Sequence, residues 1–147
     1  MNRFEKSKLL FLDEGPLKKW LQLDTYDYPV IARVLDLVYE KHLQVIVSPV
    51  TLYEISKIAF EKRNSLLVRQ YKEFFTHSTG FILRDIDAEI AIESAKFQNK
   101  YSISFEESLQ LATAFTTGAD TVFTLHDSWN AFLDAEVITL DSLKKSH

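Results

Sequence analysis

The chain has 147 residues, 46% of them hydrophobic, 26% charged and 13% aromatic, with a formal net charge of −4. That length and balance predict one globular domain over residues 1–147 and exclude a disordered chain. Three glycines leave no room for a Gly-rich phosphate loop, and the absence of cysteine excludes disulfides, thiolate zinc sites and a cysteine nucleophile.

In chain order, a charged N-terminus leads into the apolar run Leu9–Leu12. That run is too short for the apolar region of a signal peptide, and no later run approaches the ~20 residues of a membrane span. A cytoplasmic protein without a membrane partner is expected. Leu9–Leu12 reads instead as a first strand, and the continuous apolar stretches Val45–Val47 and Thr121–Phe123 read as strands buried on both faces. Phe81–Leu83 and Val137–Leu140 complete a set of five.

Between the strands lie helical patterns. Pro16–Leu21 begins with a proline suited to the first helical position. Tyr28–Lys41 spaces Ile31, Leu35 and Val38 on one side. Leu52–Phe60 and Ser65–Phe75 form a helical hairpin split near Arg63-Asn64, followed by Asp87–Lys100 and by Phe105–Thr116, which Gly118 stops. A short helix is expected around Ser128–Phe132, and Lys144–His147 reads as a frayed tail. Lys57, Lys62, Arg63, Arg69 and Lys72 read as solvated helix faces, or as a local basic strip for nucleic acid that the overall charge does not supply. Strands alternating with helices predict an α/β fold: a three-layer α/β/α sandwich around a parallel sheet of four to five strands.

Ligands of open parallel sheets bind beyond the carboxyl ends of the strands. Asp13 directly follows the first strand. Glu54 falls in the first turn after the second. Glu107 opens the Phe105 helix, and His126 and Asp127 follow the fourth strand. If these acids converge, their repulsion favours a bound hard cation such as Mg²⁺ or Mn²⁺. Such an ion activates water for phosphodiester hydrolysis. Each acid also has a purely structural reading. Thr51-Leu52-Tyr53-Glu54 and Ser104-Phe105-Glu106-Glu107 match capping boxes, and Asp13 and Asp127 could cap the helices after them. Trp20 and Trp129 read as core or partner-facing residues.

Four segments resemble PIN domains, in particular the VapC-like ribonuclease toxins of toxin–antitoxin pairs. They are Phe11-Leu12-Asp13-Glu14-Gly15-Pro16-Leu17, Val47-Ser48-Pro49-Val50-Thr51-Leu52-Tyr53-Glu54-Ile55, the Tyr101–Ala114 stretch, and Gly118-Ala119-Asp120-Thr121-Val122-Phe123-Thr124. The resemblance covers nearly the whole chain. It implies a metal-dependent endoribonuclease holding Mg²⁺ or Mn²⁺ through Asp13, Glu54 and Glu107. It also implies an RNA substrate, an antitoxin partner and a homodimer. This chain departs from the family in having Glu14 for Thr or Ser and Glu107 for Asp. After the fourth strand, His126 stands at the acid position with Asp127 one residue late, so either completes the set. A His ligand would favour Mn²⁺ over Mg²⁺. The same departures support an alternative: a catalytically degenerate PIN-like domain that binds nucleic acid or protein. A phosphatase with an Asp nucleophile is disfavoured, because Gly15 stands where its second Asp belongs.

Overall fold

The computed structural model describes residues 2–22, 26–40 and 43–145. Five strands form one parallel sheet: β1 (Leu9–Leu12), β2 (Gln44–Val47), β3 (Phe81–Leu83), β4 (Thr121–Thr124) and β5 (Glu136–Thr139), in the order β3-β2-β1-β4-β5. The central strands run buried along almost their whole length. Alternation still sorts their side chains onto two cores. Leu10, Leu12, Val45, Val47, Phe123 and Ile138 face one side, and Phe11, Ile46, Val122 and Val137 face the other.

Helices cover both faces. The first core takes Leu17 of α1 (Glu14–Leu21), Ile31 and Leu35 of α2 (Tyr28–Glu40), Ile55 of α3 (Pro49–Glu61), Phe75 of α4 (Ser65–His77) and Leu143 of α7 (Leu140–Lys145). The second takes Phe97 of α5 (Ala88–Lys100) and Leu111 and Ala114 of α6 (Phe105–Thr117). The result is the expected α/β/α sandwich, with all five strands present. The expected end of α2, Lys41, lies outside the described residues. No helix among the described residues is long and apolar enough to cross a membrane.

Three local expectations are corrected. The α3 helix starts at Pro49, because Ser48 accepts the Val50 N–H at 3.1 Å and caps it; Thr51 is therefore inside the helix rather than its cap. This places Glu54 in the second turn rather than the first. At the C-terminus, β5 ends at Thr139 and Leu140 belongs to α7. Thr139 and Ser142 exchange side-chain and backbone hydrogen bonds at 3.2 Å, which turns the strand into a helix. Lys144 is consequently no frayed residue: it sits on α7 and pairs with Asp27, while Ser146 and His147 lie outside the described residues. The Ser128–Phe132 helix is a 3-10 turn over Asp127–Ala131, and its N-cap residue is His126 rather than Asp127.

The chain builds β1, β2 and β3 outward in one direction and then crosses to β4 and β5 on the far side of β1. The reversal leaves a crevice at the carboxyl ends of β1 and β4, where open α/β sheets bind ligands.

Candidate active site

Asp13 lies at that reversal. Its backbone N–H donates to the Phe123 carbonyl at 3.0 Å, which carries the β1–β4 ladder one residue further. Its side chain is 2% exposed. The Thr124 hydroxyl, on the last residue of β4, donates to Asp13 Oδ2 at 2.7 Å and accepts the His126 N–H at 3.1 Å. The second bond bends the chain back after β4 and returns the His126 ring over the pocket.

That ring stands between two acids. Nε2 lies 3.9 Å from Asp13 Oδ2, and Nδ1 lies 3.9 Å from Glu107 Oε1. Both separations are too long for hydrogen bonds, so the interaction is electrostatic. Glu107 is placed by the start of α6, where the Ser104 hydroxyl accepts the Glu107 N–H at 3.0 Å. Only this half of the capping box forms. The Glu107 side chain turns instead to the indole of Trp129, whose Nε1 donates to Oε2 at 3.1 Å. Asp127 stands outside this group: it opens the 3-10 turn, its side chain is exposed, and its carbonyl accepts from Asn130.

Glu54 reaches the rim from α3 and is held by two lysines. Lys18 Nζ is 3.5 Å and Lys57 Nζ 3.4 Å from the same oxygen, Oε2. Its helix is tied to α6 by a buried bond from Gln110 Nε2 to Thr51 Oγ1 at 2.8 Å. Thr51 lies one turn before Glu54, and Gln110 lies one turn after Glu107.

Burial dominates the electrostatics. It pushes the Asp13 carboxyl above its ordinary range, with the Glu107 charge adding to the rise. The Thr124 hydrogen bond, the His126 charge and the Glu14 N–H offset this in part. Glu14 is also pushed up by burial and by the Asp13 and Glu54 charges, against attraction from Lys18 and His126. One Glu14 oxygen is buried with no hydrogen-bond partner.

No protein-family model matches the sequence. No curated protein matches it either. The three-dimensional structure does have relatives. It superposes on VapBC2 from Rickettsia felis, bound to a promoter DNA fragment, with TM-score 0.69 and 12% identity over 89% of this chain and 98% of the other. VapC20 from Mycobacterium tuberculosis, a sarcin–ricin loop cleaving toxin, gives 0.65 and 13% identity over 84% and 94%. FitAcB from Neisseria gonorrhoeae gives 0.65 and 20% identity over 89% and 97%.

The fold is that of a VapC-like PIN domain.

On this PIN fold, Asp13, Glu107 and His126 come together, and Glu54 approaches the same rim through its lysines. Carboxylate oxygens with one imidazole suit a hard divalent ion in kind, and the partnerless buried oxygen of Glu14 marks a place short of positive charge. In position the fit is incomplete: among the described residues, no three His, Asp or Glu groups are arranged to hold an ion together. Glu54 is engaged by Lys18 and Lys57, and His126 stands between Asp13 and Glu107.

Lys18 was not named from sequence, and Glu14 and Trp129 were read there only as a family departure and as a core or partner-facing residue. Glu14 follows Asp13 directly, and Lys18 lies one helical turn beyond it, so an i,i+4 Glu–Lys pair beside the first acid was the available signal. Trp129 is three residues after His126, and side chains at that spacing eclipse in a 3-10 turn.

Proposed function

We propose that this chain, acting as one PIN-like domain over residues 1–147, is a cytoplasmic endoribonuclease that hydrolyses RNA phosphodiester bonds with the help of Mg²⁺ or Mn²⁺. The observation that supports the reading is the placement of Glu107 and His126 beside buried Asp13, at the reversal point of the sheet. Asp13 would anchor the ion. Glu107 and Glu54 would complete its carboxylate ligands, and His126 rather than exposed Asp127 would supply the fourth group. A bound ion supplies an activated water and neutralises the charge developing on the phosphate. The protein's own part is to hold Asp13 through Thr124 and to present Glu107 from the capped start of α6. Once Glu54 turns to the ion, Lys18 and Lys57 are left at the rim to meet RNA phosphates. The architecture shared with VapBC and FitAcB complexes supports an antitoxin partner, and a homodimer is part of the same reading.

A second reading has its own observation. Lys18, Lys57 and His126 already face the acids, as in a PIN-like module that binds RNA or protein without cleaving it. RNA cleavage in Mn²⁺ separates the two, with Asp13→Ala as control. The nuclease reading expects cleavage by the wild type that is lost in the variant. Equal cleavage by both proteins indicates contamination and leaves the binding module.

A further inference from the structure

The helical hairpin α3–α4 carries charge opposite to that of the chain. Residues 49–77 hold five Lys or Arg (Lys57, Lys62, Arg63, Arg69 and Lys72) against three Glu (Glu54, Glu61 and Glu73), a formal +2 in a chain of −4, with His77 counted neutral. All five cations are exposed. Lys57 pairs with Glu54, and among the described residues the other four form no ion pair. The outward side of α3 adds two aromatic rings. Tyr53, Lys57 and Phe60 recur at i, i+4 and i+7 and so share one side of the helix. Tyr53 and Phe60 are 58% and 59% exposed and stand about 10 Å apart along the helix axis. Between them, Lys57 Nζ lies 5.5 Å from the Tyr53 ring centroid and 3.4 Å from Glu54, so the stripe begins at the rim of the Asp13 crevice. Glu61 is the carboxylate that lines the same shallow depression. The hairpin turn supplies a third observation. Arg63 N–H donates to the Phe60 carbonyl and Asn64 N–H to the Ala59 carbonyl, both at 2.9 Å, which is a Schellman close. Arg63 holds φ 57° there and is the one non-glycine at positive φ among the described residues. Glycine closes such a turn with less strain. What arginine adds is an exposed charge beside Lys62.

We propose that this hairpin is a binding surface for single-stranded RNA outside the Asp13 crevice. Bases stack on Tyr53 and Phe60, while Lys57 and the Lys62-Arg63 tip hold phosphates. Unpaired bases stack on aromatic side chains whatever their sequence, and cationic groups between such rings track the backbone. A second copy of the chain is a poorer occupant, because a two-fold contact would set one basic hairpin against the other. The inference takes RNA as the ligand from the reading above, and it depends on neither ion binding nor cleavage.

The test is fluorescence anisotropy of a labelled, unstructured RNA of about 12 nucleotides, in a chelator so that no strand is cut. Tyr53→Leu and Phe60→Leu keep apolar bulk but remove the ring, and each should weaken binding about fivefold or more. Arg63→Gly should weaken binding and lower the salt slope by about 0.7, while its melting temperature stays level or rises because the strained turn relaxes. Glu61→Gln should tighten binding. The same sequence annealed to its complement should bind less well, because its bases are no longer free to stack. Equal affinity of the wild type and the Tyr53, Phe60 and Arg63 variants overturns the inference and spares the nuclease reading, which the Mn²⁺ cleavage assay tests separately. No RNA binding by the wild type also overturns it. Variants that dissociate a dimer with RNA affinity unchanged assign the face to a second copy and refute the proposal.

Discussion

Replacing Asp13 by Asn should stabilise the metal-free protein at neutral pH. The Asp13 side chain is 2% exposed, and burial is the largest influence on its ionisation. Taking an ion of this kind out of water costs several kcal/mol. The Thr124 hydroxyl returns about 1.5–3 kcal/mol as a bond to a charged acceptor, and His126 at 3.9 Å returns less because its side chain is 43% exposed. Asparagine keeps an acceptor for Thr124 and removes the ionic penalty. The net gain is about 1–2 kcal/mol, or roughly 2–8 °C in melting temperature for a domain of this size. The sign with pH follows from the raised pKa. The native state carries no penalty below the ordinary carboxylate value, and stability is lost as pH rises through the folded-state value. The advantage of the Asp13→Asn variant should therefore be absent near pH 3, open above the ordinary carboxylate range, and level off once the native carboxyl is ionised. Thermal melts in a chelator from pH 3 to 8 measure it. A less stable variant at pH 7, or a gap of constant size across the range, refutes the reasoning. Excess Mn²⁺ should reverse the order: a ligand at 100 times its dissociation constant adds about 2.7 kcal/mol to the protein that binds it, and only the wild type should gain.

Two further perturbations address the frame that carries the site. Asp27 is 3% exposed and accepts from Lys19 at 3.1 Å and from Lys144 of α7. Asp27→Ala should lower stability by about 1–3 kcal/mol, less than for a wholly buried pair because both lysines reach water. Burial alone would raise the Asp27 pKa, but the two ammonium groups outweigh it and hold the carboxyl below its ordinary value. Urea melts should therefore show the wild-type advantage above the ordinary carboxylate range and its loss as pH falls through the lowered value. Asp120→Ala should loosen the start of β1, since its carboxylate accepts the Lys8 and Leu9 N–H groups at 2.9 and 3.1 Å and the Ser7 hydroxyl at 2.7 Å. A loss of about 1–2 kcal/mol is expected, with faster amide hydrogen exchange at Leu9 and Leu10 as the check.

The architecture was legible because its signals are local. Continuous apolar runs at β1, β2 and β4 mean strands covered on both sides, and Gly118, at φ 69°, ends α6 in a conformation that a glycine adopts without strain. Boundaries slipped where a short polar side chain had two available partners. Thr51 matches a helix cap in sequence, yet Ser48 takes that role and Thr51 serves Gln110, 59 residues away. The Thr139 strand end is likewise set by a reciprocal bond with Ser142 that no periodicity reports.

The order of the five strands and of helices α1 to α6, and the four segments bearing Asp13, Glu54, Glu107 and the His126-Asp127 pair, were fixed by the amino-acid sequence alone, because propensity, burial pattern and turn chemistry act over a few residues. Which side chains meet was decided only by the tertiary structure. His126 stands between Asp13 and Glu107 because Thr124 bends the chain behind β4. Glu107 leaves its own helix cap for the indole of Trp129, and Glu54 is held by lysines from two helices. Each choice depends on partners brought close by packing, and charges interact through space rather than along the chain.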